Sequence, residues 1–233
     1  MSLFTIADLH LPLSKDKPMD IFKGWDNYVK KLENNWNSVV ADEDTVVVPG
    51  DISWATYLEN SYEDFKFINE LKGRKIILKG NHDYWFATHN KINKFLEENG
   101  FDTVEILHNS FKKCGNVAIC GTKSYDITKP PESEQELKIE NRECLRLENS
   151  IIQAEKEGFE EIYVFLHYPP IIKYGKYNIN PVMEILEKHQ IKKCFYGHLH
   201  NLKTDISINE TINGTEFKLI ASDYIDFMPY KIM

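Results

Sequence analysis

Short apolar runs alternate along this chain with longer segments whose apolar positions recur at helical spacing. Phe4-Thr5-Ile6-Ala7, Thr45-Val46-Val47-Val48, Ile76-Ile77-Leu78, Ile162-Tyr163-Val164-Phe165-Leu166 and Cys194-Phe195-Tyr196 are too short for helices and read as buried strands. Between them, Trp25, Tyr28, Val29, Leu32, Trp36, Val39 and Val40 form one apolar stripe, which predicts a helix from about Trp25 to Val40 after a polar, proline-marked loop. Tyr62, Phe65, Ile68 and Leu71 predict a second helix ending near Gly73, and Ile92, Phe95 and Leu96 a third over Thr88 to Asn99, stopped by Gly100. Ser133 with Glu136 matches a capping box and opens a long charged helix to about Gly158, whose Glu and Lys residues read as a solvated face. A last helix is expected around Pro181 to His189.

From Thr103 to Tyr125 the pattern is β, with a hairpin at Cys114-Gly115-Asn116 and a buried strand at Val117-Ala118-Ile119-Cys120. In the tail, Asn213-Gly214 is a strong type I′ turn signal between Ile206-Ser207-Ile208 and Phe217-Lys218-Leu219-Ile220. Strands alternating with helices argue for one α/β domain over residues 1–233. Two mixed sheets packed face to face with helices outside fit this order.

The residues just past each strand carry the chemistry. The first run delivers Asp8 and His10, which share a face on extended backbone. The second hands over Gly50-Asp51, the third Gly80-Asn81-His82-Asp83, the fourth His167 and the fifth Gly197-His198-Leu199-His200. Strand ends of α/β sheets are where ligands bind. Of eight histidines, five stand at these ends; His89, His108 and His189 do not and read as surface or capping residues. With no cysteine in the set, a thiolate zinc knot or iron–sulfur cluster is excluded, and imidazole, carboxylate and amide donors suit divalent Mn, Fe, Co, Ni or Zn. There are more ligands than one ion needs, which points to two metal ions. Two divalent cations, less two carboxylates and a hydroxide, leave a core near about +1, suited to attracting an anion and acidifying water for phosphoester hydrolysis.

In that order, Asp8-x-His10, Gly50-Asp51, Gly80-Asn81-His82-Asp83, His167 and Gly197-His198-x-His200 resemble the full signature of the calcineurin-like metallophosphoesterases. The resemblance implies a sandwich of two β-sheets flanked by helices, with a dinuclear centre at the strand ends. It implies Asp8, His10, Asp51 and His200 on one ion, and Asp51, Asn81, His167 and His198 on the other, with Asp51 bridging. It further implies that His82 faces the scissile group and that Asp83 orients the His82 imidazole. A small phosphoester, mono- or diester, is the expected substrate; a catalytically silent scaffold or binding module of the same fold is the alternative.

Composition narrows the surroundings. The chain of 233 residues carries a formal net charge of −8, which disfavours nucleic acid and anionic membrane as partners. Cys114, Cys120, Cys144 and Cys194 form no C-x-x-C pair and read as buried thiols of a reducing compartment. No apolar run approaches the ~20 residues of a membrane span, so a cytoplasmic protein is expected. Trp54, Tyr84, Trp85, Tyr125 and Tyr168, each close after a ligand or strand end, are assigned to packing in preference to a rim that stacks on a flat group, and Lys123 reads either as an ordinary exposed lysine or as a point charge within reach of a substrate phosphate.

Overall fold

The computed structural model describes residues 1–15, 17, 19–200 and 206–233. Part of the expected loop before Trp25 (Asp16 and Pro18) lies outside these residues. The first sheet contains β1 (Leu3–Thr5), β2 (Thr45–Pro49), β3 (Arg74–Leu78), β4 (Val104–Ile106) and a C-terminal β11 (Tyr230–Lys231), in the order β11-β1-β2-β3-β4. The second contains β5 (Lys112–Cys114), β6 (Val117–Thr122), β7 (Glu161–Leu166), β8 (Lys193–Tyr196), β9 (Thr211–Ile212) and β10 (Thr215–Leu219), in the order β5-β6-β7-β8-β10-β9. Both are mixed: β1, β2, β3 and β4 run parallel and β6, β7, β8 and β10 run parallel, with an antiparallel strand at one edge of the first sheet (β11) and at both edges of the second (β5 and β9).

Period two divides each central strand between layers. Val47 of β2 faces the second sheet, in a layer with Leu3, Ile76, Ile119 and Phe165. Val46 and Val48 point outward, to α1 (Tyr28–Val39), α2 (Tyr62–Glu70) and α3 (His89–Glu98) through Leu32, Trp36, Phe65, Ile68 and Ile92. On the far side, α4 (Glu134–Lys156) and α5 (Pro181–Lys188) cover the second sheet through Leu147, Ile151, Val182 and Leu186. This is the four-layer αββα arrangement. Because parallel central strands end at the same side, the loops after β1, β2, β3, β7 and β8 meet there.

Local signals that close on neighbouring residues appear as the sequence predicts. Ser133 caps α4 with both halves of the capping box, and Asn213 and Gly214 take φ of 49° and 86° in the β9–β10 turn. Three expectations are corrected. The strand before Asn213 is Thr211–Ile212, not Ile206–Ile208: a two-residue turn sets Ile212 opposite Thr215, and upstream the chain leaves the sheet. Ile208 instead exchanges both backbone hydrogen bonds with the Tyr196 hydroxyl, at 2.7 and 2.8 Å. The first helix starts at Tyr28 rather than Trp25, because Asn27 takes a left-handed φ of 50°, and Val39 is exposed. Finally, α4 is not uniformly solvated on its charged positions, since Glu140 and Glu143 are buried.

Candidate metal centre

The strand-end loops are held in unusual backbone conformations. Asp8, His10, Asp51 and His198 all have positive φ, at 62°, 46°, 52° and 70°. Left-handed backbone is disfavoured for residues with a Cβ, and such strain concentrates at functional sites. Each turn aims its side chain back across the strand ends. Close approach then needs glycine: a Cβ on Gly80 would lie 2.1 Å from Asp51 Oδ1, and one on Gly197 2.4 Å from Asp8 Oδ2.

Six of the predicted residues bring side-chain donor atoms together, and His198 stands beside them. Asp8, His10 and His200 offer ligand atoms within 4.8 Å of one another, and so do Asp8, Asp51 and His167. Asp8 belongs to both groups; Asp51, a member of the second, also reaches the first, with Oδ2 3.7 Å from His10 Nε2 and Oδ1 3.6 Å from His167 Nε2. Asn81 Oδ1 is 2.5 Å from His167 Nε2. His198 donates its backbone N–H to Asp8 Oδ2, and its ring packs against Tyr168 and His167 at 4.4 and 5.2 Å between centroids.

Several features fit this set to cations. Asp8 Oδ1 is buried and, among the described residues, lacks a hydrogen-bond partner. His167 Nδ1 donates to the Pro49 carbonyl at 3.2 Å, which leaves the Nε2 lone pair aimed at the Asn81 amide oxygen, an arrangement a shared cation would relieve. His10 Nε2 and His200 Nε2 face each other at 3.2 Å, while His200 Nδ1 is held 2.8 Å from Asp223 Oδ1. Burial, then the Asp83 and Asp8 carboxylates, pushes Asp51 up to about 9. Burial and then neighbouring imidazoles hold His10 and His167 well below the ordinary histidine value. Burial also opposes charge on His200, but Asp8 and the hydrogen-bonded Asp223 outweigh it and push it up to about 10. Positive charge placed between these carboxylates would stabilise their ionised form, and cation binding would displace the His200 proton.

His82 is half-buried. Its backbone N–H donates to Asp51 Oδ1 at 2.8 Å, and its ring stands 4.9 Å from that of Trp54 and 5.8 Å from that of His10. Asp83 corrects the expectation: it is fully buried and does not contact the His82 ring. Its Oδ2 accepts from the backbone N–H groups of Gly80 (2.7 Å) and Asp51 (2.9 Å). Its Oδ1 accepts from Ile52 N–H (2.8 Å), Ser53 N–H (3.3 Å) and Trp85 Nε1–H (2.9 Å). Asp83 therefore clamps the Gly50 and Gly80 loops together.

Several residues around the centre are not foreseen from sequence. Asp223 comes after β10 as the other carboxylates come after their strands, so the same strand-end signal was present there. Trp25 packs edge-on to His200, and the Tyr28 hydroxyl donates to the His10 carbonyl. Neither had a local signal beyond an apolar stripe. Of the aromatics assigned to packing, Trp54, Trp85 and Tyr125 are buried, with Trp54 stacked on His10 at 4.6 Å, whereas Tyr84 is exposed.

Among solved structures, the phosphopantetheinyl hydrolase of Mycobacterium tuberculosis superposes with a TM-score of 0.60 at 12% identity, covering 100% of this chain and 95% of that one. A protein of unknown function from Aquifex aeolicus matches with a TM-score of 0.52 at 20% identity, covering 99% and 95%. At these identities the shared property is the fold. Among curated protein sequences none matches the chain. The family model described as calcineurin-like phosphoesterase matches residues 1–202, which contain every converging residue named above; the supporting Asp223 lies beyond them. The chain belongs to the calcineurin-like phosphoesterase family.

Proposed function

We propose that this protein is a metal-dependent phosphohydrolase that cleaves a small phosphoester at a dinuclear centre. Asp8, His10, Asp51 and His200 would hold one divalent ion and Asp51, Asn81, His167 and His198 the other. The observation that carries the reading is the convergence of imidazole nitrogens and an amide oxygen on two buried carboxylates, one with an oxygen that lacks a hydrogen-bond partner among the described residues. Two divalent ions of the Mn, Fe, Co, Ni or Zn type would supply charge neutralisation and an acidified water for in-line displacement.

The chain's own side chains do the rest. Asp51, anchored by the His82 N–H, ties the position of that residue to the ligand set. The His82 imidazole, partly open to solvent and packed against Trp54, would hydrogen-bond or protonate the leaving oxygen. Asp83 is a positioning residue that acts through the Asp51 and Gly80 backbones.

Hydrolysis of bis-p-nitrophenyl phosphate and p-nitrophenyl phosphate with Mn²⁺, before and after chelation, tests this reading. Chelator-sensitive turnover is expected, reduced at least about 100-fold in His82→Ala and in Asp51→Asn, in line with the loss of a general acid or a ligand. Turnover that survives chelation or Asp51→Asn would refute it. Folded, metal-loaded protein silent on both esters and on nucleotides would favour the scaffold alternative.

A further inference from the structure

Beside the metal centre lies a cleft of about 560 Å³ that the phosphohydrolase reading does not use. It opens between the end of β3 and the segment after β4 on one sheet, and the end of β6 with α4 on the other. Lys79, Lys123, Arg142 and Arg146 line it. Its one acidic lining residue is Glu143, which is buried at 1% exposure. That carboxylate is fully engaged: Oε2 accepts from Thr122 Oγ1 at 2.5 Å, and Oε1 faces Arg146 Nη1 at 2.8 Å and Arg142 Nε at 3.3 Å. Four cations less one anion leave three positive charges in a cleft of a chain whose net charge is −8.

Lys79 and Lys123 have no carboxylate within 4.0 Å among the described residues. Their ammonium groups stand instead over Phe86 and Tyr168, at 5.3 and 5.6 Å from the ring centres. Burial, then the nearby Lys79, Arg142 and Arg146 charges, holds Lys123 below the ordinary lysine value, with Glu143 opposing. Unpaired cations repel one another in this partly enclosed space, and an anion would relieve that repulsion. Glu143 gives the arrangement its form: a buried carboxylate gripping Thr122 and both arginines fixes the guanidinium groups at the cleft wall.

No proposed metal ligand lines the cleft, but its wall adjoins their loops: Lys123 Nζ stands 5.6 Å from the Tyr168 ring, whose centre is 4.4 Å from that of His198. Lys79 directly precedes Gly80-Asn81. Lys123 accepts the Tyr168 N–H at 3.0 Å through its carbonyl, and Tyr168 is next in the chain to His167 and packs on His198. One small molecule can therefore present a phosphoester to the ligands and a second charged group to the cleft.

We infer that the cleft is a second phosphate subsite, so that the substrate of the metal centre is a small phosphoester carrying a further, uncleaved phosphate held by Lys79, Lys123, Arg142 and Arg146. This rests on the phosphohydrolase reading and narrows it to a substrate class.

A matched pair of chromogenic diesters tests it: thymidine 5′-(p-nitrophenyl phosphate) and the same compound with a 3′-phosphate. The 3′-phosphorylated ester should be preferred at least tenfold in kcat/KM, mostly through KM. The preference should fall below threefold in Arg142→Gln/Arg146→Gln and in Lys123→Gln. In parallel, inorganic pyrophosphate is titrated calorimetrically into the full chain in excess EDTA, with binding expected to weaken at least tenfold in the same variants. Equal cleavage of both esters by the unmodified protein, or a preference that survives the substitutions, overturns the subsite while leaving the hydrolase reading standing. If neither diester is cleaved, diester cleavage fails as the reaction, and the hydrolase reading then rests on p-nitrophenyl phosphate and nucleotides. The titration then decides the anion subsite alone: pyrophosphate binding lost in the variants supports it, and no binding, or binding they do not change, overturns it.

Discussion

Asp83→Asn separates two accounts of a fully buried acid at the centre. The substitution is nearly isosteric but turns one carboxylate oxygen into an NH₂ group. Every partner of Asp83 is a donor: Gly80 and Asp51 N–H on Oδ2, and Ile52 N–H, Ser53 N–H and Trp85 Nε1–H on Oδ1. Whichever way the amide turns, at least two buried N–H groups lose their acceptor and meet another donor. Each such loss costs about 1–3 kcal/mol, and removing a buried charge returns part of it, so a net destabilisation of about 3 kcal/mol is expected. For a chain of this length, that lowers Tm by about 6–12 °C. Because the clamp holds the loops carrying Asp51 and Asn81, Mn²⁺ affinity should fall in the same variant. Urea unfolding followed by tryptophan fluorescence, with calorimetric Mn²⁺ titration, measures both. Stability within about 1 kcal/mol of the unmodified protein and unchanged Mn²⁺ affinity, with only the pH–rate profile altered, would refute the clamp and return Asp83 to orienting His82.

Two further outcomes test other parts of the structure. Asp223→Asn should weaken Mn²⁺ binding about 10–100-fold, because the Asp223 carboxylate holds His200 Nδ1 at 2.8 Å and so directs Nε2 to the ligand set; unchanged affinity in a metal titration would remove Asp223 from that role. Glu105 on β4 joins the sheet edges by pairing with Arg74 of β3 (2.5 Å) and Lys112 of β5 (2.8 Å). Partial burial opposes its charge, but the two cations outweigh it and hold it down to about 2. A carboxylate depressed by folding stabilises the protein above its unfolded value of about 4.3 and loses that contribution as pH falls towards 2. Because all three side chains are about a third exposed, Glu105→Gln should cost only about 1 kcal/mol at pH 7, and the gap in urea midpoint should close between pH 5 and 2. A gap that stays constant over that range would show the pair to be inert.

Much of this protein was legible from residues close together in the chain. The strands are short apolar runs with period-two burial, as in Val46, Val47 and Val48. The α4 start depends on Ser133 and Glu136, and the β9–β10 turn on Asn213 and Gly214. Even the convergence of the candidate residues could be read, because parallel strands place the residues beyond their ends at one side of a sheet, so recurrence at strand ends already encodes proximity. What the tertiary structure alone decided are the properties set by distant partners. The left-handed turns at Asp8, His10, Asp51 and His198 exist because the converging loops hold them there. Asp83 faces Gly80, Asp51 and Trp85 rather than His82 because the Gly50 loop, some thirty residues earlier, supplies the nearest donors. Glu143 is buried, against the solvated reading of its helix, because β6 delivers the Thr122 hydroxyl to it and the same helix supplies two arginines. The two-residue β11 has no period of its own and becomes a strand only because β1 offers it an edge. Local sequence sets backbone period and caps; the burial of a charge and the pairing of a polar group depend on what another element brings within reach, and that is settled only when the layers close.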